Sequence, residues 1–448
     1  MGHVTYPDGH TLLRNLRRTY PVATGGQGVR LFDEDGRQWI DGSSGAFVAS
    51  IGHGVREVAD AIHQQLCAVG YVNGTQFTTR VTEELADRLC DGAPTGPSRA
   101  FFVASGSEAV EAAIKLARQI QVERGQHTRG RIIARVPSYH GNTLYALSAS
   151  ARPHYKTFYG PMLADVVTVS SPYPYRSPVE DYQRDGAAFH AAELEQKILE
   201  VGADQIAAFI AEPVIGSSAG AAVPPAGYFQ AIGDVCRRHG ILFIADEVLV
   251  GVGRTGTFWA SDLVDARPDI IVLGKGIAGG MAPLSAVVVR QSLVDEMFHG
   301  SGGFMHAQTY MQMPAMTAAG LATLRYIDEH GLVENARRVG EHMGAGLQSL
   351  QSLPTVGCVQ GVGLVWGVEF VADKSSRAPF ERDVKFCARL TSRLFDAGLI
   401  VWPNAGSADG KKGDLVMIGP PLIATTDDCD AIVQILGSVI AEFSQEVM

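Results

Sequence analysis

At 448 residues, 46% hydrophobic and 19% charged, the chain exceeds what one hydrophobic core sustains, so two domains in one globular subunit are expected. A net charge of −10 and a pI near 5.7 argue against non-specific binding of nucleic acid or an anionic membrane. Six widely spaced cysteines without a C-x-x-C pair point away from zinc and disulfide frameworks; with no secretory signal and no long apolar run, they suggest a cytoplasmic, metal-free protein.

Residues 1–60 read as an N-terminal segment with a β-hairpin, Val29–Phe32 and Gln38–Ile40, joined by the turn Asp33-Glu34-Asp35-Gly36. Over 61–325, short apolar strands alternate with helical stretches, the βαβ pattern of a mainly parallel sheet and hence an α/β fold. The expected strands are Ala100–Val103, Arg131–Val136, Ile206–Ala211, Ile241–Ala245, Ile270–Leu273 and Leu284–Val289. Residues 326–448 read as a smaller α/β domain. It has a helix over Leu332–Leu350, a strand over Gly363–Phe370 and a glycine- and charge-rich loop over Pro403–Gly413.

Strand exits carry the chemistry. After Phe101-Phe102-Val103 comes Ser105-Gly106-Ser107-Glu108, opening a helix with Val110, Ala113, Ile114 and Ala117 at helical spacing. Such a turn offers free backbone N–H groups at a positive dipole end, a phosphate cradle; the alternative is simple capping by Ser105 or Ser107. Tyr139-His140-Gly141-Asn142 places an aromatic ring where it could stack on a flat cofactor, or merely pack. Glu212, before Pro213, ends another strand, either at a ligand-binding sheet edge or as a buried anchor. Gly251-Val252-Gly253 lacks the strand-to-helix setting of a dinucleotide loop and reads as a glycine loop. Thr309 stands ahead of a helix opened by Pro314 and is a phosphate donor or a cap.

The most informative pair is Asp246, ending one strand, and Lys275, ending the next between Gly274 and Gly276. A buried lysine needs a partner or a reason to be neutral. A lysine that forms a Schiff base, with an acid that keeps a pyridine nitrogen protonated, is what pyridoxal 5'-phosphate chemistry requires.

The ordered set Ser105–Ala109, Tyr139–Gly141, Glu212-Pro213, Asp246–Val248, Gly253–Gly256, Lys275 and Thr309 resembles the class III pyridoxal-phosphate aminotransferases, of fold type I, over nearly the whole chain. The resemblance implies a large cofactor-binding domain at 61–325 and a small domain combining 1–60 with 326–448. Lys275 would carry the cofactor and move the proton, and Asp246 would hold the pyridine N–H. Ser105, Gly106 and Ser107 would bind phosphate, Tyr139 and Val248 would flank the ring, and His140 and Glu212 would lie beside it. Thr309 would reach the phosphate of a neighbouring subunit in a homodimer with shared sites. The implied reaction passes an amino group from an amine or ω-amino acid to a keto acid of pyruvate type. A racemase or epimerase, an aminomutase or a decarboxylase of the same fold would share Lys275 and Asp246.

Arginines that clamp carboxylates in relatives are absent where the resemblance places them. Asn142 follows the Tyr-His-Gly motif, Trp402 follows the Gly398–Val401 run, and Met417 precedes Pro420-Pro421. Leu249 replaces a common glutamine. Arg254, Arg377 and Lys411 are the candidate replacements for binding a substrate carboxylate. Phe47, Tyr71, Phe77, Asn142 and Trp402 are the expected pocket walls.

Overall fold

The structure, a computed structural model, describes residues 2–448. Near the N-terminus, β1 (Ala23–Gln27), β2 (Arg30–Asp33) and β3 (Gln38–Asp41) form an antiparallel meander. The central chain then supplies β4 (Ser98–Val103), α1 (Gly106–Glu123), β5 (Arg131–Val136), β6 (Val167–Ser170), β7 (Ile206–Ala211), α2 (Tyr228–His239), β8 (Leu242–Asp246), β9 (Ile270–Leu273) and β10 (Ser285–Arg290). These strands make a seven-stranded sheet in the order β4-β10-β9-β8-β7-β5-β6.

Every residue of β7 is buried, as is every residue of β8 and β9. Central strands of a sheet covered on both faces read as unbroken apolar runs, which is why these were visible in the sequence. Along β8 the faces alternate. Leu242 and Ile244 pack with Val110, Ala113 and Ile114 of α1, whereas Phe243 and Ala245 pack with Phe229 and Ile232 of α2. The Phe229 and Phe243 rings stack at 5.6 Å.

Strand direction decides where the chemistry gathers. β6, β5, β7, β8 and β9 pair in parallel, so they end at one edge of the sheet. β10 runs antiparallel to both β9 and β4. Two reversals restore the direction, so β4 also ends at that edge, and β10 begins there at Ser285. The exits of five of these strands thus bring Ser105, Tyr139, Glu212, Asp246 and Lys275 together from distant parts of the chain.

The C-terminal third contributes α3 (Leu332–Ser349), β11 (Val356–Val362), β12 (Val365–Phe370), β13 (Leu399–Ile400), β14 (Trp402–Ala405), β15 (Asp414–Ile418) and α4 (Thr426–Val447). One four-stranded sheet has the order β11-β12-β15-β14; in another, β13 pairs in parallel with β3 of the N-terminal meander. The segment expected to be a loop over Pro403–Gly413 is therefore partly strand. Pro403 is tolerated because β14 is an edge strand and its N–H is not needed for the ladder. The turn itself is confined to Gly406–Gly413, where glycines adopt positive φ. The edge strand β6 and the first meander strand β1 were not anticipated; both are short and weakly apolar.

Candidate active site

At the common sheet edge lies a pocket of about 190 Å³, and beside it a larger cavity of about 650 Å³. Lys275, Tyr139, Ser217 and Leu249 line both. Lys275 therefore stands where the two spaces meet.

At one end of the smaller pocket α1 begins. Ser105 is its N-cap, accepting from the Glu108 N–H at 3.3 Å, while the Glu108 carboxylate accepts from the Ser105 and Ala104 N–H groups at 2.9 Å. This capping box commits the Ser105 side chain to the helix and leaves the next N–H groups of the first turn facing outward without helical partners. Gly106 is required here: a Cβ would stand 2.9 Å from Cγ1 of Val248. Ser107 Oγ accepts from the Asn142 N–H at 3.1 Å and donates to Asn142 Oδ1 at 3.2 Å. At Gly141, with φ of 137°, a Cβ would meet that Ser107 hydroxyl at 2.6 Å.

At the other end is Asp246, buried and fixed through both oxygens. His140 Nδ1 lies 2.7 Å from one, and the Val248 N–H donates to the other at 3.1 Å. His140 is thus placed as the partner of Asp246, anchored in turn by its own N–H to Ser150 Oγ at 2.8 Å. Glu212 is held by the fully buried Arg135, which reaches its carbonyl at 2.5 Å and its carboxylate at 3.3 Å. The other Glu212 oxygen accepts from the Tyr139 N–H at 3.3 Å. Both readings of Glu212 therefore meet in one place: it is a buried anchor and it lines the pocket.

Lys275 occupies the left-handed region with φ of 46°, a conformation unfavourable for a residue with a Cβ. Burial pushes its amine down to about 8, against the opposing pull of the Asp246 carboxylate; the nearby Arg152 and Arg254 charges lower it further. The ammonium form is disfavoured by roughly 3 kcal/mol relative to water. Phe47 also takes a positive φ, 61°, and its ring lies 6.0 Å from Lys275 Nζ.

These residues fit pyridoxal phosphate. A helix start with outward N–H groups suits a phosphate, a doubly held carboxylate suits a ring nitrogen, and a lysine poised near neutrality suits an aldehyde. The buried Ser285 hydroxyl, beside Gly274, has no protein partner.

Of the expected walls, Phe47, Asn142 and Trp402 line the larger cavity. Tyr71 and Phe77 do not line it within this subunit; both are exposed, and Tyr71 meets Tyr310 edge-on at 6.3 Å. Thr309 is exposed as well. The three replacement clamps are corrected by the structure. Arg254 is buried and spends its guanidinium on the Leu364 and Pro420 carbonyls at 3.1 and 2.5 Å. Arg377 is exposed and donates to the Tyr175 carbonyl at 2.6 Å. Lys411 is exposed on the turn closed by Asp409. The cavity instead contains Arg14 and Arg152, which sequence reasoning missed. Arg152 precedes Pro153 in an irregular stretch, where no periodicity signals burial.

Comparison with known proteins identifies the family. The description of the family Aminotransferase class-III matches residues 14–440. The Bacillus subtilis aminotransferase YodT is 37% identical over 95% of this chain and 96% of its own. A thermostable (S)-enantioselective ω-transaminase from Thermomicrobium roseum superposes with a TM-score of 0.90 at 35% identity, covering 97% of this chain and 96% of its own. The ω-transaminase of Pseudomonas jessenii, in complex with PMP, has a TM-score of 0.90 at 31% identity, covering 98% and 96%. The chain belongs to the class III aminotransferase family and is a pyridoxal-phosphate-dependent transaminase.

Proposed function

We propose that this transaminase takes the amino group of an amine or ω-amino acid and passes it to a keto acid of pyruvate type, with Lys275 and Asp246 as its catalytic residues. Bound pyridoxal phosphate supplies an aldehyde that captures amines and a ring that accepts electron density. Lys275 supplies the amine that holds the cofactor and then moves a proton at the substrate carbon. Its pKa near 8 leaves a useful neutral fraction at physiological pH. Asp246 keeps the ring nitrogen protonated, and His140 holds Asp246 in place. The first turn of α1, at Gly106 and Ser107, receives the phosphate, while Tyr139 and Val248 flank the ring. The convergence of Lys275 and Asp246 in one pocket carries this reading.

The subunit works as a homodimer in the cytoplasm. Thr309, Tyr71 and Phe77 serve the partner's site, a reading supported by their exposure and by the Tyr71–Tyr310 contact that joins the two segments. The large domain spans 61–325, and the small domain joins 1–60 to 326–448, in keeping with the pairing of β3 and β13.

The test is an absorbance spectrum of the holoenzyme with single amines added and no acceptor. Loss of the visible cofactor band with growth of a near-ultraviolet pyridoxamine band is the expected result, and it names the donor. A visible band that survives every amine and ω-amino acid offered contradicts the reading.

A further inference from the structure

Three cationic side chains, Arg14, Arg152 and Lys275, line the larger cavity. Its polar lining is Arg14, Asn142, Arg152, Ser217 and Lys275, and no aspartate or glutamate lines it. Arg152 is only 5% exposed and makes no ion pair among the described residues. Its guanidinium lies near two rings, 5.0 Å from the centroid of Tyr139 and 5.5 Å from that of Tyr155. One Nη donates to Ser217 Oγ at 2.6 Å, while Nε is buried without a partner. The indole N–H of Trp402, in the same lining, is likewise buried and unpartnered.

A guanidinium has five N–H donors, and burying it with only the neutral hydroxyls of Ser217 and Tyr155 beside it leaves it short of partners. The buried Arg135 and Arg254 each reach a carboxylate or backbone carbonyls, whereas among the described residues Arg152 reaches neither. Arg152 is instead fixed by aromatic faces, with donors in reserve, which is the arrangement that takes a carboxylate with little reorganisation. Arg14 donates to the Tyr155 hydroxyl at 3.2 Å and adds a second positive charge on the same wall. The remainder of the lining, including Phe47, Leu144, Leu147, Tyr159 and Leu249, is apolar or aromatic.

We infer that Arg152, assisted by Ser217 and Arg14, binds the carboxylate of an ω-amino acid whose apolar chain spans the cavity and whose amine reaches Lys275. Arg152 is thereby the specificity-determining residue that stands in for the arginines absent at 142, 402 and 417. The inference rests on the proposed ω-amino donor chemistry.

The experiment compares 6-aminohexanoate with hexylamine as donors to the holoenzyme, and measures binding of unreactive hexanoate by calorimetry. Arg152→Leu is expected to lower the ratio of kcat/KM for 6-aminohexanoate over hexylamine by about 30- to 100-fold and to weaken hexanoate binding at least about tenfold. Arg152→Lys, which keeps the charge but not the planar fork, should fall between wild type and Arg152→Leu and serves if the leucine variant does not fold. An unchanged ratio with unchanged hexanoate binding overturns the inference. So does a defect confined to the pyruvate half-reaction, which would assign Arg152 to the acceptor alone. If wild-type enzyme accepts neither amine, the donor reading fails, whereas hexanoate binding still reports on the clamp.

Discussion

Lys275 combines two unfavourable features in one residue, a left-handed backbone and a largely desolvated amine. Both are sustained because β9 and Gly274 fix the strand exit, and both serve to present a neutral nucleophile. Because the folded-state pKa is lowered to about 8, the neutral amine becomes the majority form above about pH 8 rather than above the ordinary 10.5. In cofactor-free protein, site-resolved acetylation read by mass spectrometry should give Lys275 a half-maximal rate near pH 8. A Lys275 profile centred near 10.5 would contradict the desolvation argument. Asp246→Asn should cut kcat by orders of magnitude at retained cofactor binding, since an amide does not hold the ring nitrogen in its protonated form; near-normal stopped-flow rates would place the partner elsewhere. These residues were legible in the sequence because each stands at the end of an apolar run. Arg152 was not, because its burial depends on Tyr139, Tyr155 and Ser217, which come from three separate segments.

At the scale of elements, buried acids tie loops to helices. Glu247, next to Asp246, accepts from the N–H groups of Ala260 and Ser261 at 2.7 and 2.9 Å, anchoring the short helix Ala260–Leu263. Burial pushes its carboxyl up to about 7 from 4.5. The folded state therefore holds the proton more tightly than the unfolded chain, and this group's contribution to stability is complete below about pH 4.5 and is lost as pH rises to about 7. Glu247→Gln should remove that dependence. Denaturant titrations at pH 5 and pH 8 should differ by on the order of 2 kcal/mol less in the variant than in wild type. Parallel profiles would show that the two N–H donors fully offset burial. The strand pattern that positions these groups was readable from hydrophobicity alone, as β5, β7 and β9 occur where expected. The β14 strand was hidden because proline and glycine suggested a loop, and only its pairing with β15 reveals its state.

Over the whole molecule, one side chain links parts that are distant in sequence. Arg254 binds the carbonyls of Leu364 and Pro420 and lies 3.4 Å from Ser44 Oγ, so it joins the central chain to both the N-terminal segment and the C-terminal third. Its conspicuous place in a glycine loop suggested a ligand-binding role, since loop spacing does not reveal which way a side chain turns. Arg254→Ala should lower the unfolding free energy by about 2–4 kcal/mol, measured by denaturant titration, because buried carbonyls lose their donor. A loss below about 0.5 kcal/mol would mean that water replaces it freely. The proposed shared site adds a prediction at the same scale: sedimentation should give twice the 47.7 kDa chain mass, and Thr309→Ala should release cofactor faster without dissociating the pair. A monomer retaining full cofactor affinity would contradict it.

On this reading Lys275 is the residue that holds the cofactor. Borohydride reduction of the holoenzyme, followed by digestion and mass spectrometry, tests it directly. A pyridoxyl-phosphate adduct is expected on the peptide carrying Lys275, and its loss in Lys275→Ala. An adduct on any other lysine, or the same labelling in Lys275→Ala, would contradict it.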